Sequence, residues 1–144
     1  MFDMPAEEAK PVAAASRRLH GRVLLVEDNP VNLQVARRLL GLAGLDIDTA
    51  GNGQAALDCL ADAHYDLVLM DCQMPVMDGY EATRRIRASG HPRAQVPIIA
   101  LTAHALAEDR QRCEAAGMND YLPKPVTSEA LAGVLQRHLG PRGA

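Results

Sequence analysis

The chain has 144 residues, of which 48% are hydrophobic and 23% charged, with a net charge of −3 and an aromatic content of 3%. That length suits one domain able to bury an aliphatic core without disulfide or metal staples. The charge balance excludes a basic nucleic-acid footprint, and three Tyr and one Phe are too few to stack unpaired bases.

Residues 1–21, which include PAEEAKPVAAASRR, are rich in Ala, Pro and charge without sustained periodicity. They read as a linker or disordered extension, with a folded domain expected over 22–140 and a short tail at 141–144. VLLV, apolar on both faces, predicts a central strand of a parallel sheet. Asn29 and Pro30 then start a helix, the first as a cap and the second in a position where its missing donor costs nothing. Val31, Val35, Leu39 and Leu42 are expected to form its inner face, and Gly44 to end it. DIDTA predicts a second strand, and Asn52-Gly53 lead into a helix carrying Ala56, Leu57 and Leu60. DLVLMD is the most apolar strand. After the loop CQMPVM, Asp78 and Glu81 have the spacing of a capping box, opening a helix from about Tyr80 to Ala88. VPIIALT predicts the fourth strand, AEDRQRCEAAG a helix closed by Gly117, and MNDYL the fifth strand. Thr127 caps a last helix whose inner side is Leu131, Val134, Leu135 and Leu139. This alternation predicts an α/β domain, a doubly wound parallel sheet with helices on both faces.

Each apolar run stops on polar residues: Glu27 and Asp28, Asp71, Thr102, and Lys124. Parallel strands deliver all of these to one carboxyl edge, where open α/β sheets bind their ligands. Crowded carboxylates repel unless a cation joins them, and oxygen-only ligation suits Mg²⁺, with Mn²⁺ as a substitute. Asp28 and Asp71 are expected as direct ligands, Glu27 through water, and the Gln73 backbone carbonyl as a further donor. One oxygen of Asp71 is then available to attack a phosphoryl donor, while Lys124 and the Thr102 hydroxyl stabilise the transferred group's oxygens. Singly, an acidic residue after a strand is usually a solvated loop residue. The conjunction of complementary groups at one edge is what points to phosphoryl chemistry.

Cys59, Cys72 and Cys113 are odd in number and lie in no metal or redox spacing, which fits thiols in a reducing cytoplasm. No stretch approaches membrane-spanning length and no signal peptide opens the chain, so a cytoplasmic location is expected. The histidines have no metal-binding spacing. His104 differs by lying two residues after Thr102, near the phosphoryl site.

VLLVEDNPVNL, LVLMDCQMPVMDGYEATRRIR, IIALTAHA and NDYLPKPV together resemble the receiver domain of two-component response regulators, over residues 22–139. The wording around them is most similar to receivers of hybrid sensor histidine kinases. The resemblance implies a flavodoxin-like (βα)5 fold with strand order 2-1-3-4-5. It implies that Asp71 is the phosphoacceptor, Glu27 and Asp28 the metal-binding acidic pair, Thr102 a switch residue, Lys124 the charge-pairing residue and Tyr121 the switch aromatic. The Lys124-Pro125 bond matches one that is typically cis in the family. Gln73 and His104 fall at positions linked to the lifetime of the phosphoryl group.

The expected function is thus a phosphoacceptor that assists its own phosphorylation and dephosphorylation, rather than an enzyme with a small-molecule substrate. Its partners would be a histidine kinase or a histidine-phosphotransfer domain, with no nucleic acid and no membrane contact by this segment, in a monomer or weak dimer. The chain would be stand-alone or a segment of a hybrid kinase. Two rivals are a degenerate receiver that only binds protein, and a magnesium phosphohydrolase. The intact acidic set speaks against the first. The second wants a general acid beside its nucleophile, and neither Cys72 nor Gln73 is one.

Overall fold

Runs of Val, Leu and Ile that are apolar on both sides must be covered on both sides, and the molecule is built around that requirement. The computed structural model describes residues 21–74, 77–90, 94–103 and 107–139. Among them the order is β1 (Arg22–Val26), α1 (Pro30–Leu42), β2 (Asp46–Ala50), α2 (Gly53–Asp62), β3 (Leu67–Asp71), α3 (Gly79–Ala88), β4 (Ile98–Thr102), α4 (Ala107–Ala116), β5 (Asp120–Pro123) and α5 (Ser128–His138). All pairings are parallel and the sheet runs β2-β1-β3-β4-β5, which is the expected order 2-1-3-4-5.

β3 and β4 are buried along their whole length, whereas the edge strands β2 and β5 are only partly covered. Two cores result. On one face α1 and α5 pack Ala36, Leu40, Leu131 and Leu135 onto Val23, Leu25, Leu69, Ile99 and Leu101. On the other, α2, α3 and α4 bring Ala56, Leu60, Tyr80, Ile86 and Cys113 onto Leu24, Val26, Val68, Met70 and Ile98. Each fully buried Leu or Ile contributes roughly 1.5–3 kcal/mol.

The helix starts follow the capping signals. Asn29 Oδ1 accepts from the amides of Val31 and Asn32 at 2.9 and 3.2 Å, Asn52 from Ala55, Asp78 from Glu81 and Thr127 from Ala130. Gly44 and Gly117 end α1 and α4 with φ of 90° and 103°, which only glycine adopts freely.

Two local expectations need correction. The inner face of α1 is Ala36 and Leu40, supported by Leu33, Leu39 and Ala43, while Val31, Val35 and Leu42 stand out in solvent. Positions 33, 36, 40 and 43 follow the helical period as well as 31, 35, 39 and 42 do, and the short Ala36 lets the helix approach the sheet closely. At α3, Asp78 caps as expected, but the Glu81 carboxylate turns to Arg84 and Arg85 at 3.0 and 2.9 Å instead of completing a reciprocal box. Two arginines at i+3 and i+4 offer it charged partners.

Arg87, from α3, is a brace that periodicity does not announce. Its guanidinium donates to the carbonyls of Gly117, Ala94 and Val96 and to Asn119 Oδ1, at 2.7–2.9 Å. Asn119 Oδ1 also accepts from the Ile98 amide. This network holds the amino-terminal ends of β4 and β5, opposite the edge where the acidic residues lie.

Candidate functional site

Strand register places the polar residues side by side. Val26 pairs with Met70, so Glu27 follows one strand where Asp71 ends its neighbour. Asp71 pairs with Leu101, which puts Thr102 next along the rim, and Thr102 pairs with Pro123, which precedes Lys124. Main-chain bonds fix these ends: the Glu27 amide to Ala50, the Cys72 amide to Leu101 and the Lys124 amide to the Thr102 carbonyl at 2.7 Å.

Lys124 Nζ lies 2.9 Å from Asp71 Oδ1 and 3.5 Å from Glu27 Oε1. Asp71 Oδ1 also accepts from the Gln73 amide at 3.0 Å, and Glu27 Oε2 from the Asn29 amide at 3.1 Å. Glu27 and Asp71 are 2% and 1% exposed, while Asp28 faces solvent. Glu27, Asp28 and Asp71 each offer an oxygen within 4.8 Å of the others. Among the described residues, two buried oxygens, Glu27 Oε1 and Asp71 Oδ2, have no hydrogen-bond partner.

The electrostatics follow from that crowding. Burial raises the Glu27 pKa to about 7, helped by the facing Asp71 and opposed by the Asn29 amide and Lys124. Burial also works against the Lys124 charge, but Asp71 and Glu27 outweigh it and hold the ammonium above its ordinary pKa. A site with spare buried oxygens, a carboxylate reluctant to ionise and an open acidic side fits a hard divalent cation such as Mg²⁺.

The loop after Asp71 is held by close approach. The Gly79 amide bonds the Cys72 carbonyl at 3.3 Å, and a Cβ at Gly79 would collide with the Asp71 carbonyl oxygen. Beside it, Cys72, Gln73, Met74, Asp78, Tyr80, Thr102, Asp109 and Arg112 line a cavity of about 440 Å³. The Lys124-Pro125 bond is cis.

Glu27, Asp28, Asp71 and Lys124 therefore meet at one point, and Gln73 and Thr102 border the adjoining cavity. Tyr121 does not border it. It is half-buried on β5, with the Arg110 guanidinium 5.3 Å from its ring centre. His104 lies outside the described residues, as do residues 1–20 and 140–144. Cys72 and Cys113 are buried thiols, in keeping with their lack of metal or redox spacing, and share a core cluster with Tyr80, which sequence reasoning placed only at a helix start.

A doubly wound parallel sheet with an acidic cluster and a lysine at its carboxyl edge is the architecture of a phosphoryl-accepting signalling domain. The profile of the response regulator receiver domain matches residues 23–136, and the chain belongs to that family. The chain is 45% identical over 121 residues to the sensor protein GacS of Pseudomonas syringae pv. syringae, covering 83% of this chain and 13% of that protein. It is 42% identical over 141 residues to hybrid signal transduction histidine kinase B of Dictyostelium discoideum, covering 90% of this chain and 7% of that protein. The chain thus spans a small fraction of the curated relatives it matches. Among solved structures, it resembles the receiver domain of sensor histidine kinase PA1611 from Pseudomonas aeruginosa, which has a magnesium ion coordinated in its active-site cleft. The TM-score is 0.77 at 48% identity, covering 84% of this chain and 98% of that one. The receiver domain of Ssk1 from Saccharomyces cerevisiae, solved with the phosphotransfer protein Ypd1, also has a TM-score of 0.77, at 32% identity, covering 84% of this chain and 90% of that one.

Proposed function

We propose that Asp71 accepts a phosphoryl group from a phosphohistidine and that the domain passes its phosphorylation state to a partner. The observation that carries this reading is the split in the Asp71 carboxylate. Oδ1 is held by Lys124 and the Gln73 amide, whereas Oδ2 is buried and, among the described residues, accepts no hydrogen bond. Oδ2 is thus the oxygen free to attack phosphorus, forming an O–P bond as the donor's N–P bond breaks and its imidazole regains a proton.

Mg²⁺ held by Asp28, Asp71, Glu27 through water and the Gln73 carbonyl would neutralise charge on the transferred oxygens. Lys124 would shift part of its attraction from the Asp71 carboxylate to the new phosphoryl oxygens, and the Thr102 hydroxyl would donate to another. Thr102 and Tyr121 then act as the switch, and the surface of α4, β5 and α5 repacks as populations shift. Gln73 and His104 would tune the lifetime of the phosphoryl group, as the family resemblance implies for their positions. The same groups assist loss of the phosphoryl group to water, so the domain is a self-limiting module.

The donor would be a histidine kinase or histidine-phosphotransfer domain, seated on the exposed Val31 and Val35 in the first half of α1, on the side of the acidic cluster. Similarity to segments of hybrid kinases supports a receiver segment of a signalling chain, for which the proposed bounds are 22–140, the proposed location cytoplasmic and the proposed state monomeric or weakly dimeric. Among the described residues no helix is long and apolar enough to cross a membrane.

Intact-mass analysis after incubation with acetyl phosphate and Mg²⁺ tests the reading. One added phosphoryl group on the native chain, and none on Asp71→Asn or without the metal, is expected. An unmodified native chain would leave only a protein-binding role.

A further inference from the structure

Tyr121 is a large ring on a short edge strand, and its surroundings leave it room. Register pairs Tyr121 with Ala100 and Pro123 with Thr102. Paired residues of neighbouring strands, and every second residue along each, share a face of the sheet. Tyr121 and Thr102 therefore stand on one face, the one that α4 covers through Cys113 and Ala116. The register partner of Tyr121 on that face is Ala100, whose single methyl offers the ring little to pack against.

Two cavities adjoin Tyr121. One, of about 100 Å³, lies towards α4 and has Arg110, Cys113 and Met118 in its wall. The other, of about 450 Å³, lies towards α5 and has Ala130 and Val134 in its wall. A side chain bordered by empty space loses dispersion contacts on that side, so packing alone does not fix its rotamer. The main chain beneath it is held by the sheet and by the Tyr121 amide, which donates to Asp120 Oδ1 at 2.8 Å. Displacement of Tyr121 is thus a rotation of the ring about its side-chain bonds.

One directional contact opposes that rotation. The Arg110 guanidinium of α4 lies over the ring, 5.3 Å from its centre. A cation over an aromatic face is attracted by the ring's quadrupole, and the attraction ends once the ring turns away. Arg110 is itself exposed, so its replacement removes this contact without opening the core.

We infer that Arg110 is a positioning residue that latches the Tyr121 ring in its half-buried place, and so sets how much of the unphosphorylated domain adopts the switched packing. The inference deepens the receiver reading and rests on it for the direction in which the ring moves.

The chain has three tyrosines, so fluorotyrosine labelling gives three fluorine signals, and Tyr121→Phe identifies the one from position 121. Signals are compared for the native chain, Arg110→Met, which keeps the stem without the charge, and Arg110→Lys, with and without acetyl phosphate and Mg²⁺. Arg110→Met is expected to raise the switched fraction of the unphosphorylated domain by roughly two- to fivefold, moving the Tyr121 signal toward its phosphorylated position. The Tyr65 and Tyr80 signals should stay in place, and Arg110→Lys should return the Tyr121 signal to near native. Phosphorylation by acetyl phosphate should quicken by about twofold or more in Arg110→Met, and not at all when Tyr121→Leu is also present. An unmoved Tyr121 signal in Arg110→Met, or an equal gain in rate in the Tyr121→Leu background, would overturn the latch. If the native chain took no phosphoryl group, the receiver reading would fall. The latch would then stand or fall on whether Arg110→Met displaces the Tyr121 signal and Arg110→Lys restores it.

Discussion

At the residue scale, Glu27 is the group whose behaviour depends most on its surroundings. Burial, then Asp71, raises its pKa to about 7. The folded, metal-free domain therefore holds a proton there that an unfolded chain would release at lower pH. Stability without metal falls as pH rises between the ordinary carboxylate range and about 7. Cation binding needs the charged form, so it strengthens across the same window. Calorimetric titration with Mg²⁺ should show binding about tenfold tighter at pH 8 than at pH 6, and a nearly flat profile for Glu27→Gln. Lys124 makes the complementary case. Lys124→Ala leaves Glu27 and Asp71 facing each other without a cation, which should lower metal-free stability in urea by about 1–3 kcal/mol. It should also slow phosphorylation by acetyl phosphate by about 10²-fold. The identities of these residues were legible because each ends an apolar run. The Glu27 proton was not, since it depends on burial and on a neighbour 44 positions away in the chain.

At the element scale, caps and glycines were the clearest signals. Asn29, Asn52, Asp78 and Thr127 all accept the amides their positions promise, because a cap is a local bond within three residues. The inner face of α1 was misjudged for the opposite reason. Two stripes of that helix are apolar, and only the sheet decides which is buried. The exposed stripe carries its own prediction. Val31→Lys, at a position 68% exposed, should change stability by less than about 0.5 kcal/mol, yet slow phosphotransfer from a histidine-phosphotransfer partner. Gly79 gives the contrary pattern. Gly79→Ala drives a methyl into the Asp71 carbonyl and should cost about 2 kcal/mol or more in urea unfolding, with weaker Mg²⁺ binding as the loop after Asp71 moves. The brace around Arg87 stayed hidden because its partners are three main-chain carbonyls and a side-chain amide spread over positions 94 to 119.

At the scale of the whole molecule, strict alternation of strand and helix left few topologies, and the chain adopts the one with α1 and α5 on one face and α2, α3 and α4 on the other. Parallel strands place their carboxyl ends together, so the acidic cluster follows from the topology and not from local sequence. Among the described residues, two buried carboxylate oxygens accept no hydrogen bond, so this fold tolerates local strain at the edge where the acidic cluster lies. A cation should relieve it. At a hundredfold excess over its dissociation constant, Mg²⁺ should stabilise the domain by about 2.7 kcal/mol, read as a rise in the melting temperature that Asp28→Asn reduces.

The central claim is that the free oxygen of Asp71 takes the phosphoryl group, and reductive trapping tests it most directly. Treating the chain with acetyl phosphate and Mg²⁺, then with borohydride, converts an aspartyl phosphate to homoserine at the residue that carried it. Peptide sequencing by mass spectrometry should find homoserine at position 71 alone. Homoserine at another aspartate, or none after a mass shift that marks phosphorylation, would contradict the account.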